Sequence, residues 1–524
     1  MSSAVTPIAD WIVVLPVLAC LMGAALLLML RQTRLYLAGL AIVVVVAVIA
    51  CEAALLQRVL VQGPLTMTMG RWLPPFGISF SADIMGAAFA LAAAVVTLVV
   101  LVYVQMDRAG SDNGGGLHAL ILLLLGGVTG SFLTGDLFNL YVWFEVMLIA
   151  SFGLMVIAGR DIQLDATVKY GFLNFLATTF FLLALGLLYG LVGTLNMADI
   201  IVSAPGVNSA AMASVAALFF LAFATKAAAF PVNAWLPASY HAPPAALSAL
   251  FAGLLTKVGV YALLRTLVAL LPASRAVLEP AILAVAVLTL LIAPLGAIAE
   301  TNLRRALGFI VIGGIGVVIA GLALPSQHGI TGAIFYVLHA MLTMSALYLV
   351  AGLIEKATGE RDTRRMGGLY AASTPISILF LVLVLAASGT PPFLGFWPKL
   401  VLLGAGVEQA GLGQGGVIDY GALVLTAALL VNALVTLIAG TRLWAHIFWR
   451  QGPEGELSEQ PNPSLRPLER RVRWFGLLPA AGLTAVIVVA GLLPDQLFQA
   501  ASMAAGDLLS PQRYIASVGL AVAP

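Results

Sequence analysis

The sequence predicts an all-α protein that crosses a membrane about fourteen times. Three observations carry that expectation. Of its 524 residues 61% are hydrophobic and only 9% are charged, with a mean hydropathy of +1.07. Apolar stretches of about 20 residues recur from one end of the chain to the other. The segments between them are short and rich in Gly, Pro and charge. A soluble domain carries about 25% charged residues, so this chain cannot cover a water-exposed surface and lipid must be its main solvent. The length would suit about three soluble domains, but the repeated runs argue for one large helix bundle.

In chain order the runs lie near 11–30, 36–56, 82–104, 117–133, 136–158, 168–192, 211–231, 244–265, 279–299, 304–323, 330–354, 374–404, 417–443 and 475–497. The first, Trp11 to Leu30, lacks a basic leader and is too long for a signal core, so it reads as a span and not a cleaved signal peptide. Gln57 to Phe80 is more polar and is expected along the outer surface. Arg450 to Arg473 is charged and proline-broken and reads as the one sizeable cytoplasmic loop. Cys20 and Cys51, both in apolar runs, give neither a disulfide framework nor metal-ligand spacing. The IGGIG cluster at 312–316 has no strand before it, so close helix packing explains it better than a nucleotide loop. A P-loop, haem ligation, Fe–S cysteines and a nucleophile elbow are all missing from the sequence, so no cofactor, metal or enzymatic chemistry is expected, and no basic tract points to nucleic acid.

Orientation follows from the Lys and Arg residues. With the N-terminus outside, the cytoplasmic loops hold Arg31, Arg34, Arg108, Arg160, Lys169, Arg304, Arg305, Lys356, Arg361, Arg364, Arg365, Arg442, Arg450, Arg466, Arg470, Arg471 and Arg473. Only Arg58, Arg71, Arg265, Arg275 and Arg513 fall on the other side. Both termini are therefore expected to face the periplasm or exterior.

Three lysines remain inside spans: Lys226 in AALFFLAFATKAAAFP, Lys257 in ALSALFAGLLTKVGVYALL and Lys399 in TPPFLGFWPKLVLLG. A charge at the centre of a membrane helix costs about 2.5–3.5 kcal/mol on the insertion scale, so three cost roughly 8–10 kcal/mol. Lys399, beside Trp397 and Pro398, has the best chance of snorkelling to the headgroups. Lys257 has a poor one, with about ten apolar residues before it. Glu145, in GDLFNLYVWFEVMLIASFGL, is the matching anion. If Asp136 marks the end of that helix, nine residues at 1.5 Å each bury Glu145 about 13 Å deep. A lysine on a neighbouring helix is its natural partner, although the sequence leaves open which one. A glutamate that approaches and leaves a lysine would make it hold and release a proton. His339, in FYVLHAMLTMSALYLV with Thr343 one turn on, is either a satisfied core histidine or a relay between the Lys257 and Lys399 regions. His241 beside the first helix break has a weaker claim, and His118, His328 and His446 read as structural. Glu300 with Arg304 and Arg305 reads as an interfacial charge cluster, and Glu52 and Asp83 are expected near the outer interface.

Two of the lysine-bearing runs are also broken. Lys226 is followed by Pro231, Asn233 and Pro237, and Lys399 is preceded by Gly389, Thr390, Pro391 and Pro392. Proline inside a helix frees backbone groups, which in lipid must be satisfied by protein or water. Paired breaks in corresponding halves point to inverted repeats. Their spacing predicts repeats over runs 4–8 and 9–13, with runs 7 and 12 discontinuous. The chain then divides into 1–116, 117–270, 271–449 and 450–524.

The stretches GDLFNLYVWFEVMLIASFGL, FATKAAAFPVNAWLPASYHAPPAALSALFAGLLTKVGVYALLR and ASGTPPFLGFWPKL resemble the antiporter-like membrane subunits shared by respiratory complex I and the Mrp multisubunit cation/proton antiporters, and the wording is most like the D-type subunit of the latter. The resemblance covers nearly the whole chain. It implies fourteen helices with two inverted five-helix repeats, a charge pair of Glu145 and Lys226, a central Lys257, a terminal Lys399 and a bridging His339. It further implies a bacterial inner-membrane subunit of a hetero-oligomeric Na⁺(K⁺)/H⁺ antiporter, surrounded by lipid and working with other subunits. The alternative is a proton-pumping subunit of complex I or a membrane-bound hydrogenase.

Overall fold

The computed structural model describes residues 7–30, 37–72, 74–106, 116–411, 418–453 and 465–520. Arg31, Arg34, Arg108 and segment 454–464 of the charged loop lie outside the described residues. The chain opens with α1 (Leu15–Met29) and α2 (Leu37–Gln62), followed by strands β1 (Leu65–Thr68) and β2 (Ser79–Ala82). Next come α3 (Ile84–Val104), α4 (Leu117–Leu133), α5 (Leu137–Met155), α6 (Asp161–Val192) and the short α7 (Met197–Ser203). The middle of the chain forms α8 (Ser209–Ala227), α9 (Trp235–Tyr240), α10 (Ala245–Leu264), α11 (Pro272–Ala299), α12 (Leu303–Ala323) and α13 (Gln327–Thr358). A π turn, Arg265–Leu270, extends α10. The last part holds α14 (Leu369–Ala372), α15 (Thr374–Ser388), α16 (Phe396–Gln409), α17 (Tyr420–Trp444), α18 (Arg470–Val472), α19 (Leu478–Leu492), α20 (Asp495–Leu509) and α21 (Gln512–Ser517).

Among the described residues, eleven helical stretches are long and apolar enough to cross a membrane. Helices α1, α4 and α15 are shorter but equally apolar. The protein is thus a multi-span helical membrane protein. The expectation of purely helical structure needs one correction: the polar segment after α2 forms a two-stranded antiparallel hairpin, with Leu65 opposite Ala82 and Thr68 opposite Ser79. Thr66, Thr68, Ser79 and Ser81 suit a pleated edge better than an apolar helix, and a backbone outside the lipid core can pair across strands. Two further helices, α20 and α21, follow the last long span where no element was expected.

Burial separates the helices that form the centre from those that face lipid. Every residue of α10 except its first is buried, and so are nearly all of α12 and α13. By contrast α2, α6 and α19 expose most of their apolar surface, as lipid-facing helices do. Small residues set the central contacts. A Cβ at Gly253 of α10 would collide with Ser345 Oγ of α13, and Ser345 donates across the interface to the Ala249 carbonyl at 3.1 Å. In the IGGIG cluster, a Cβ at Gly316 would meet Leu290 of α11 at 3.0 Å, so these glycines serve helix packing as expected.

The two breaks share one backbone pattern. Helix α8 ends in a left-handed residue, Ala228 (φ 64°), and Phe230–Pro231 is a cis peptide. Helix α15 ends likewise at Gly389 (φ 86°), with a cis Pro391–Pro392 bond at the same offset. A second half-helix then starts at Trp235 or Phe396.

Because α10 and α13 touch through Gly253, Gly253→Val should push them apart at a cost of about 1–3 kcal/mol. Thermal melting of the purified protein reads this directly, and an unchanged curve would mean that the interface has slack.

Candidate functional site

Each ionisable residue singled out in the sequence is placed by a helix end or a close helix contact. Asp136 caps α5, its Oδ1 accepting from the Asn139 amide at 2.8 Å, so Glu145 lies two and a half turns inside the helix. Glu145 is half-buried, one turn beyond Tyr141 on the same helix. Lys226 stands in the last turn of α8 and is buried. Its ammonium has no hydrogen-bond partner among the described residues and lies 5.6 Å from the centre of the Phe144 ring. Glu145 acts on it electrostatically, yet no ion pair joins the two among the described residues. The charge pair implied by the resemblance is therefore a pair within electrostatic reach and not in contact. Phe144, the neighbour of Glu145 on α5, takes the position over the ammonium.

Lys257 lies near the middle of fully buried α10 and donates to the Ala252 carbonyl of its own helix at 2.5 Å. A lysine side chain in a helix leans toward the N-terminus, and with no anion in contact the ammonium turns to a carbonyl. Helix α10 presses on the end of α8 just beside Lys226, for a Cβ at Gly259 would come within 2.9 Å of the Ala227 nitrogen. The first break thus packs against the helix that carries the central lysine.

Lys399 sits in the first turn of α16 and reaches back across the break to the end of α15. Its ammonium donates to the carbonyls of Ser388 (2.7 Å) and Ala387 (3.3 Å). Those are terminal carbonyls with no helical partner, at the negative end of the half-helix dipole. Gly389 makes this reach possible: it takes the left-handed turn, and a Cβ there would stand 2.7 Å from Lys399 Cδ. Lys399 therefore does not snorkel to the headgroups but turns inward to the break.

His339 is fully enclosed in α13. Its Nδ1 pairs with Thr343 Oγ1 at 3.1 Å, and its ring meets Tyr336 at 5.3 Å. Its Nε2 has no partner among the described residues, and a Cβ at Gly395 would lie 2.8 Å from it. The imidazole thus faces the loop of the second break, within electrostatic reach of both Lys257 and Lys399. His241 bonds to the Pro237 carbonyl at 3.0 Å beside the first break.

Other charged residues of the sequence find partners inside the bundle. Glu52 is fully buried in α2, where Thr129 donates to its Oε1 at 3.1 Å. Asp83 is buried too, capping α3 and pairing with Arg265 at 2.6 Å. The Glu300–Arg304–Arg305 cluster is divided. Arg305 pairs with Glu300 at 2.7 Å, whereas Arg304 turns inward to Glu355 of α13 at 2.6 and 2.7 Å. Sequence spacing could not reveal that second pairing, because Glu355 is 51 residues away. Among the described residues, no group of His, Cys, Asp and Glu could hold a metal ion.

A many-span helical bundle with two broken helices and ionisable side chains gathered at the breaks defines a polytopic membrane protein with charge stored in its interior. Residues 134–426 match the family model described as NADH:quinone oxidoreductase/Mrp antiporter, TM, and the chain belongs to that family. It is 34% identical over 511 residues to the D subunit of the Na⁺/H⁺ antiporter of Alkalihalophilus pseudofirmus, an alignment spanning 97% of this chain and 99% of the relative. A chain in the structure of the Mrp complex from Dietzia sp. superposes with a TM-score of 0.85 at 29% identity, over 97% of this chain and 99% of that one. The membrane-bound sulfane sulfur reductase, an archaeal respiratory membrane complex, contains a chain that superposes equally well, with a TM-score of 0.85 at 26% identity over 97% and 99% of the two chains.

The lysine environments differ enough to be separated by experiment. Lys399→Met strips two helix-terminal carbonyls of their donor and should destabilise the protein by about 1–3 kcal/mol. Lys226→Met removes a buried ammonium that makes no hydrogen bond among the described residues, so stability should hold or rise. Melting temperatures in one detergent compare the two, and a greater loss for Lys226→Met would contradict this assignment.

Proposed function

We propose that this chain is the D-type subunit of a multisubunit Na⁺(K⁺)/H⁺ antiporter and carries protons along Glu145, Lys226, Lys257, His339 and Lys399. The observation that carries the reading is the set of buried ionisable side chains in which Lys226 and Lys399 each adjoin a helix break and Lys257 and His339 sit on the two closely packed central helices. Membrane proteins retain such groups, despite their cost, where they hold or pass charge.

The mechanism is one of alternating partners. Glu145 and Lys226 are close enough to attract each other yet have no direct bond, so a small shift of α5 against α8 changes the field at Lys226. A carboxylate moving close favours the protonated amine, and its departure favours release. The released proton passes to neighbouring Lys257, and His339, set between Lys257 and the second break, hands it on toward Lys399. Sodium or potassium movement in the opposite direction is coupled within the complex, whose other subunits are required.

The matching backbone of the two breaks supports two inverted five-helix repeats, runs 4–8 and 9–13, within fourteen spans divided at 116, 270 and 449. The excess of Lys and Arg on one side supports periplasmic termini in a bacterial inner membrane. A second reading, a proton-pumping subunit of a respiratory complex, is favoured by the match to the sulfane sulfur reductase chain. The same residues serve both readings.

Cation-dependent proton movement in everted vesicles carrying the complete set of subunits distinguishes them. Wild type should show sodium- or potassium-driven proton movement, and Lys257→Ala, at equal assembly, should lose it. A fully active Lys257→Ala would make the lysine structural, and an inactive wild type would favour the respiratory reading.

A further inference from the structure

At the end of the bundle where α10 passes into its π turn, a second group of polar side chains lies apart from the lysine row. Lys257, Tyr261 and Arg265 follow one another at intervals of four along α10, which spaces the first and last by about 12 Å. Arg265, 6% exposed, pairs with Asp83 at 2.6 Å and donates to the Tyr261 hydroxyl at 3.1 Å. That hydroxyl in turn donates to the Phe132 carbonyl at 3.0 Å. The guanidinium also stacks near the rings of Tyr261 (5.3 Å) and Tyr514 (6.0 Å). Helices α20 and α21 close over this group. They bring in Asp507, whose side chain is 12% exposed and lies 3.4 Å from Arg513, and Tyr514. Asp507 feels the charges of both Asp83 and Arg265.

Two features single this place out. Phe89, Phe132 and Tyr261 pack edge to face at 5.0, 5.6 and 6.3 Å. In that layer the Tyr261 hydroxyl is the polar group. Beyond it, Arg265 Nε, Asp507 Oδ2 and Tyr514 Oη are all buried and have no hydrogen-bond partner among the described residues. Buried polar atoms are satisfied by protein or by ordered water, and three such atoms on converging side chains call for a small water cluster. A buried ion pair that only tied helices together would have no use for them.

We infer that this nest of Asp83, Arg265, Asp507 and Tyr514 is the site through which protons pass between the Lys257 region and the aqueous phase at this end of the bundle, with the Tyr261 hydroxyl as the step through the aromatic layer. A proton leaving the Lys257 ammonium breaks an N–H bond and protonates a water. The Tyr261 oxygen takes a proton from that water as its own O–H proton, turned from the Phe132 carbonyl, passes to a water on the far side of the layer. That proton is then accepted as an O–H on Asp507 Oδ2 and given up to bulk water at the rim beside Arg513. Arg265 positions Asp83 and the tyrosine. The inference rests on the proton-carrying role proposed for Lys257.

The test uses the assembled complex in everted vesicles, comparing cation-driven proton movement for Asp507→Asn, Asp507→Glu, Tyr261→Phe and Lys257→Ala at equal assembly. Asp507→Asn and Tyr261→Phe should each lower the rate about tenfold or more, while Asp507→Glu, which restores a carboxyl, should recover most of it. A wild-type rate in Asp507→Asn overturns the inference, and so does an equal loss in Asp507→Glu, which would mark the position as structural. If Tyr261→Phe fails to assemble, the two Asp507 variants decide alone. An inactive Lys257→Ala beside an active Asp507→Asn defeats only the nest. An active Lys257→Ala defeats the proton path on which it rests.

Discussion

Lipid offers no hydrogen bonds, so each charge and each freed backbone group inside this bundle must find its partner in the protein. That constraint is most visible at the second break. Proline opens the backbone between α15 and α16 and leaves the carbonyls of Ala387 and Ser388 without helical partners. The Lys399 ammonium, itself costly to bury, turns back to them at 3.3 and 2.7 Å. One contact thus meets the needs of both groups. It also ties the lysine to the break, so that movement of the half-helices alters its surroundings.

The first break handles the same problem differently. Trp235 donates across it to the Thr225 carbonyl at 3.1 Å, which leaves the Lys226 ammonium facing Phe144. The lysine stands before the left-handed residue in the first break and after it in the second. The two sites therefore share a backbone but not a charge environment: one ammonium is held by carbonyls, and the other has only an aromatic face and a more distant carboxylate. Such a difference makes two sites of one architecture respond unequally to the same small motion. Helices α10 and α13 pack between them, Gly253 against Ser345, and Arg304 of α12 joins both by binding Glu355 through two nitrogens and Ser248 through the third.

Much of this was legible in the chain itself. Runs of apolar residues are long because the hydrocarbon core is about 30 Å thick, so spans, breaks and the three intramembrane lysines stand out without any structure. Composition determined the solvent, and the cost of burying charge set Glu145, Lys226, Lys257 and Lys399 apart from the rest. The prolines after Lys226 and before Lys399 located both breaks, since a residue without an amide hydrogen cannot continue a helix.

Contacts between distant segments were not legible, because they depend on which helix faces come together. Glu52 had no evident partner in its run, but the packing of α4 encloses it against Thr129. Arg304 looked like one of three clustered charges, but the crossing of α12 and α13 turns it to Glu355. The family resemblance pairs Lys226 with Glu145, but the side-chain order on α5 puts Phe144 over the ammonium. Arg265, sorted by charge alone into an outer loop, is drawn inside by Asp83 and roofed by helices beyond the last long span. The sequence by itself determined the membrane, the spans and the residues that carry charge into them, since these follow from local chemistry and length. The tertiary structure decided which charges meet, which are held by carbonyls and which stand alone, since that is settled only by side chains of helices far apart in the chain.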